Sequence, residues 1–223
     1  MRPLPCTALS LLLLAITPAA CASSPSAAAS VELDDATARA LAQPVTPETF
    51  DATTLQIALF HASNAARAQH SRAPLAYDAR LALAAQLHAE RMIQLSFFSH
   101  TDPHDAALAA PGDRARAMGI PNPFIAENIA QQQSIDYQSG RPVYQRGGRG
   151  KFSYTPEGPI LPPRTYAQLA DTLIQQWMDS PGHRKNMLST DALQLGCGAA
   201  ITWKDDFPTV YAVQNFQLYK VAE

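Results

Sequence analysis

The hydrophobic period of this chain switches near residue 190, and that switch limits the folds open to it. Before it, apolar residues return every three or four positions: Leu55, Leu59, Ala62 and Ala66, then Leu81, Ala85, Met92 and Leu95, then Tyr166, Leu169, Leu173 and Trp177. These stripes predict amphipathic helices. Two open at the N-cap residues Asp51 and Asp78; the third runs over 165–179, where Pro181 and Gly182 stop it. After the switch, "LGCGAAITW" (195–203) and "TVYAVQNFQLY" (209–219) favour strands. Leu195, Cys197, Ala199, Ile201 and Trp203 would share one face, and "KDDFP" turns the pair into an antiparallel hairpin. "FIAENIAQ" (124–131) predicts a further strand, and a short helix fits 113–118. Helices first and a hairpin last predict an α+β domain built in layers.

The amino terminus is of a different kind. Residues 1–21, "MRPLPCTALSLLLLAITPAAC", carry Arg2, an apolar centre from Leu9 to Ile16, and Ala19 and Ala20 before Cys21. This is the pattern of a secretory signal, too short to span a bilayer. Two processing routes fit it. Either Cys21 is the lipid-modified cysteine of a bacterial lipoprotein, or a signal peptidase cuts at an A-x-A site such as Ala20-Cys21-Ala22. Both predict export: as a cell-envelope lipoprotein (periplasm or outer membrane), or as a freely secreted protein. The Ala/Ser/Pro-rich stretch 22–50 reads as a tether with one weak helical turn near 34–42, placing the folded domain at 51–223. Cys197 is then the single mature cysteine, so the core and not a disulfide must hold the domain. With 47% hydrophobic against 16% charged residues, such a core is within reach. A net charge of −2 excludes a dedicated nucleic-acid binder.

Residues 131–164 stand apart. They hold five of the ten glycines and five of the eighteen prolines, with Arg141, Arg146, Arg149, Lys151 and Arg164 against Asp136 and Glu157. A loop this long is functional or mobile, and the two readings of it are a solvated surface insertion and a binding loop. Tyr137, Val143, Tyr144, Phe152 and Tyr154 could make a small hairpin in it. It is expected to form a basic flap over or beside the site, favouring anionic partners.

Four stretches, in order, resemble the CAP superfamily, also called the SCP family (cysteine-rich secretory proteins, antigen 5, pathogenesis-related 1), in its bacterial SCP-like extracellular type. They are "FHASNAARAQHSRAPLAYDARLALAAQLHAERMIQLSFFSH", "AENIA", "WMDSPGHRKNML" and the pair "LGCGAA" and "YAVQNF". The resemblance covers roughly 54–219 and implies a three-layer α-β-α sandwich with an antiparallel sheet. It also implies a cleft holding His100, His183 and Glu127. The family's second acid has its nearest counterpart in Asp179. Asn64 and Arg67 would bond to loops, and Asn128 and Asn186 would fix backbone near Glu127 and His183.

Two neutral imidazoles and a carboxylate suit Zn²⁺, held weakly because two histidines without full acidic support cannot match a closed four-ligand site. They equally suit acid–base work. His183, at the start of a short helix, would have its pKa lowered by the helix dipole. His88 reads as a core histidine, and Cys197 as a small buried strand residue. No G-x-S-x-G elbow, phosphate loop or Cys-x-x-Cys pattern occurs. The expectation is therefore a non-enzymatic binding module for a lipid, a divalent metal or an envelope partner. It would touch membrane only through a lipid anchor and would need no obligate protein partner. The alternatives are a metal- or histidine-assisted hydrolase with Glu127 as base, or an extracellular scaffold.

Overall fold

The computed structural model describes residues 34–219. The expected signal segment, Cys21 and residues 22–33 of the expected tether lie outside the described residues. The expected tether ends too late: residues 34–50 are part of the domain. Helix α1 (Asp35–Leu41) starts at the N-cap Asp34, whose side chain accepts from Thr37 N. Leu41 and Val45 then sink into the main core. Val45 N donates to Arg164 O at 2.8 Å, and Ser134 Oγ donates to Val45 O at 3.0 Å. Composition hides this, because two large apolar residues in an alanine-rich stretch make no stripe.

The helices follow their caps. Asp51 caps α2 (Ala52–Gln69), Asp78 caps α3 (Ala79–Gln94), and a Thr165–Gln168 capping box opens α5 (Tyr166–Asp179). Between them lie a 3-10 turn (Ala106–Leu108) and α4 (Pro111–Ala117). Pro181 and Gly182 both end α5 and begin α6 (Pro181–Met187), with proline at the first turn where its missing N–H costs nothing.

The sheet has the order β1-β5-β6-β2: β1 (Ala76–Tyr77), β5 (Ala192–Lys204), β6 (Phe207–Leu218) and β2 (Ile125–Gln133). It is antiparallel except for the two-residue β1, which runs parallel to β5. Asp205 and Asp206, at φ 50° and 62°, turn the β5–β6 hairpin in the left-handed conformation that a tight hairpin needs.

Alternation along the strands makes the three layers. Leu195, Cys197 and Ala199 of β5, with Val210, Ala212 and Phe216 of β6, pack on α2 and α5. The opposite face, with Tyr211, Val213 and Ile129, packs on Ala85, Ala89 and Met92 of α3. Trp177, fully buried, crosses from α5 and donates its indole N–H to Ile129 O at 3.2 Å. The glycines of "LGCG" face α3. A methyl at Gly196 would stand 2.1 Å from Ala82 N, and one at Gly198 2.1 Å from Gln86 N. α3 thus lies directly on the β5 backbone.

The 131–164 segment is not a flap over the site. It makes the expected hairpin, β3 (Tyr144–Gln145) with β4 (Phe152–Ser153), but closes on a core of its own. Ile135, Phe152 and Leu161 are buried together, and Phe152 stacks on Phe207 at 3.9 Å. Arg164 donates to the carbonyls of Gln133, Ile135 and Tyr137 and pairs with Asp136. Arg149 pairs with Asp206, and Arg141 lies over the Tyr154 ring. The cations read as a lure for anions are largely occupied in holding the segment. It docks where Gln133 pairs with Thr209, whereas Glu127 pairs with Asn215. Six residues of strand separate the two places by about 20 Å. Gly/Pro content conceals a core whose key partner, Phe207, lies far along the chain.

Gly198→Ala is expected to destabilise the domain by about 2–3 kcal/mol, because α3 must lift off the sheet. Denaturant unfolding measures this; a loss below about 0.5 kcal/mol would show that the helix is not seated as described.

Candidate functional site

The site is built on two adjacent residues of β2, which is an edge strand of the four-stranded sheet. Side chains alternate along a strand, so Glu127 faces the α3–α4 layer and Asn128 faces the α2–α5–α6 layer. Each anchors one of the two histidines.

Glu127 is 6% exposed. Its Oε1 accepts from His100 Nδ1 at 2.9 Å, and its Oε2 accepts from Arg114 Nη2 at 2.8 Å. With its amide oriented to satisfy both ends, Asn215 also donates to Oε2 at 3.1 Å. Arg114 is fully buried and has further work: it donates to Leu108 O and Ala109 O at 2.9 Å and to His100 O at 3.1 Å. The loop carrying His100 is therefore held at its backbone by Arg114 and at its ring by Glu127. Two more ties run to α3. His88 Nε2 donates to Ser99 O at 2.9 Å, and Arg91 pairs with the buried Asp102.

On the other face, Asn128 Nδ2 donates to His183 O at 3.2 Å and to Gln214 Oε1 at 3.0 Å. Gln214 in turn donates to Ser63 Oγ of α2 at 2.7 Å. Asn186, one helical turn after His183, donates to Asn128 Oδ1 at 2.9 Å and to Glu127 O at 3.3 Å. This amide chain seats α6 against the strand edge and brings His183 towards His100. Asn64 and Arg67 bond to loops: Asn64 exchanges hydrogen bonds with Leu75, and Arg67 donates to Ala73 O.

Protonation follows from these contacts. A carboxylate paired with Arg114 can only accept, so His100 carries a proton on Nδ1 and, when neutral, leaves Nε2 as a bare lone pair. The His100 side chain is 49% exposed, which gives that lone pair access to a ligand. His183 is held below the ordinary histidine pKa by burial and then by the nearby His100, so it is neutral at pH 7. His88 is likewise held low, first by burial, with Arg114 adding to it against the opposing pull of Glu127.

The structure thus gathers His100, Glu127 and His183, and it leaves out Asp179. That carboxylate lies at the exposed end of α5, bonded to Gln175 Nε2 at 2.7 Å. Among the described residues no group of three or more His, Cys, Asp or Glu is arranged to hold a metal ion. Glu127, expected as a ligand, instead has both oxygens engaged. Cys197 is buried in the strand, with its thiol pushed up by burial. Ser99 Oγ accepts from Thr101 N at 3.1 Å as a local turn. Sequence reasoning misses Arg114 altogether and places His88 in the core without its tie to the His100 loop. "DRAR" contains the signal, but it does not say which arginine turns inward: Arg114 is fully buried, whereas Arg116 is exposed and pairs with Asp113.

Arg114→Met and Glu127→Gln are each expected to destabilise by about 3–5 kcal/mol, since either leaves a buried partner uncompensated. Denaturant unfolding measures this; losses below about 1 kcal/mol would mean that the pair is no anchor. Stability should also depend on pH. With His88 and His183 lowered in the fold, the unfolded chain takes up protons first. Their contribution is complete above about pH 6.5 and is lost as pH falls below it. Unfolding curves from pH 8 to 5 on wild type and His88→Gln should show a shallower loss in the variant; equal slopes would contradict it.

The cysteine-rich secretory protein (CAP) family model matches residues 60–216. The uncharacterized protein YkwD of Bacillus subtilis is 26% identical over 136 residues, covering 61% of this chain and 38% of its own length. The chain therefore spans well under half of that curated relative. Among solved structures, an extracellular SCP-domain protein from Bacillus anthracis aligns with a TM-score of 0.51 and 24% identity, over 79% of this chain and 45% of that one. An outer surface protein from Borrelia burgdorferi aligns with a TM-score of 0.50 and 14% identity, over 76% of this chain and 97% of that one. These likenesses concern the fold, an α-β-α sandwich. By the family match, the chain belongs to the cysteine-rich secretory protein (CAP) family.

Proposed function

We propose that this is an exported, non-enzymatic binding module in which the cleft between His100 and His183 takes the ligand. The observation that carries this reading is the state of Glu127. A carboxylate held by His100, Arg114 and Asn215 is poorly placed to accept a proton or an ion in solution. It works instead as a support, presenting His100 Nε2 outwards beside a neutral His183. Two imidazole acceptors without an activated nucleophile suit recognition better than turnover. Export is read from residues 1–21 and agrees with the extracellular and outer-surface proteins that share the fold. Phe98, exposed two residues from His100, would offer apolar contact to a lipid or another envelope component.

Zn²⁺ is the simplest probe of the cleft. His100 Nε2 and a ring nitrogen of His183 would be its protein ligands, with Glu127 orienting His100 from behind, an arrangement that raises ligand basicity. A bound zinc would supply Lewis acidity. Two protein ligands cannot match a closed four-ligand site, so affinity should be about micromolar or weaker and lost in His100→Ala or His183→Ala. Calorimetric titration measures it. Stoichiometric zinc surviving prolonged chelation would overturn this reading.

The carboxylate-held imidazole also supports a second reading, a histidine-assisted hydrolase, because such a pair is how a general base is oriented. Any peptide or ester hydrolysis by the purified protein should then vanish in His100→Ala and His183→Ala. Glu127→Gln is a poor test, since it strands Arg114 in the core. Activity that survives both histidine changes would remove the cleft from catalysis.

A further inference from the structure

We infer that the face of α6 turned away from β2 forms a second site, one that binds a phosphate-class oxyanion. At about 100° per residue, His183 and Asn186 share one side of α6 while Arg184 and Leu188 share another. On that second side lies an open groove of about 510 Å³, lined by Arg72, Arg184, Lys185, Ser189, Thr190 and Asp191 among others. Three cations meet one carboxylate there. Among the described residues none of the three is ion-paired, whereas Arg80, Arg91, Arg116 and Arg149 each are. Like charges gathered without ion pairs in one groove raise the local positive potential there and favour an anion from outside.

The groove is framed by a third arginine. Arg67, 2% exposed, donates to Ala73 O at 2.8 Å on one wall and to Met187 O and Ser189 O at 2.6 and 3.0 Å on the other. It fixes the turn that carries Arg72 against the loop that carries Ser189 and Thr190. Burial and then Arg72 hold the Arg67 pKa below its ordinary value, consistent with an excess of positive potential at this wall. Arg184 is oriented by His70. Its Nη2 donates to His70 Nε2 at 3.3 Å, while His70 Nδ1 donates to Ala66 O at 2.9 Å.

The donor set selects the class of anion. One arginine fork is enough for a carboxylate. Cations from two chain segments, with the hydroxyls of Ser189 and Thr190, suit a tetrahedral group that accepts in several directions. A free phosphate compound and a phospholipid headgroup share that chemistry. The site stands independently of the histidine cleft.

The test uses the purified protein, wild type, Arg184→Gln/Lys185→Gln and His100→Ala, with folding checked by thermal unfolding. Inorganic phosphate is titrated by calorimetry. Vesicles of phosphatidylcholine with and without phosphatidic acid are tested by co-sedimentation. Saturable phosphate binding is expected in wild type and His100→Ala, about tenfold or more weaker in the double variant, and weaker at high salt. Capture by phosphatidic acid vesicles with the same dependence assigns the site to a lipid headgroup. Phosphate binding without vesicle capture assigns it to a soluble ligand. Absence of both in wild type, or binding that is unchanged in the double variant, overturns the proposal.

Discussion

The carboxylate of Glu127 is the constraint on which the rest of the site depends. Placing an ion beneath a helical layer is strongly unfavourable unless its hydrogen-bonding capacity is met. Here the compensation comes from separate parts of the chain: Arg114 of α4, His100 of the preceding loop and Asn215 of β6. His88 of α3 stands 3.8 Å away. Satisfying one carboxylate therefore docks α4 and the loop onto the sheet beside α3. Positioning of His100 follows from the same contacts that close the layer.

The neighbouring residue does the same on the opposite face. Because strand residues alternate, the Glu-Asn pair sends one polar group into each layer. Asn128 reaches α6 and, through Gln214 and Ser63, α2. Asn186 closes the circuit by donating both to Asn128 and to the backbone carbonyl of Glu127. A two-residue segment of an edge strand thereby sets the positions of two histidines that lie 83 residues apart in the chain. The glycines of β5 let α3 press onto the sheet beside this polar seam.

Much of the architecture is legible in the sequence because it rests on local rules. Asp51 and Asp78 cap the helices they are expected to cap, Pro181 marks a boundary, and the 195–219 hairpin turns at Asp205 and Asp206. What local rules do not show is long-range compensation. Nothing in "PGDRARAMG" says that Arg114 is buried, since that depends on a carboxylate 13 residues away on another element. Phe152 in a Gly/Pro-rich stretch looks solvated until Phe207 stacks on it. Asp179 is the carboxylate nearest to His183 along the chain, yet α5 ends in a geometry that turns it outwards. Leu41 and Val45 are lost in an alanine-rich context for a similar reason: their partners are on α2 and α5.

The central claim, that Glu127 holds His100 by its Nδ1 and leaves Nε2 for a ligand, can be read directly from the ring nitrogens. A nitrogen-15 spectrum correlating them with the carbon-bound ring protons, taken at about pH 8.5 so that imidazoles are neutral, assigns each tautomer. His100 is expected with its proton on Nδ1 and a bare Nε2. A bare Nδ1 with the proton on Nε2 would contradict the claim, because the carboxylate could not then be holding the ring.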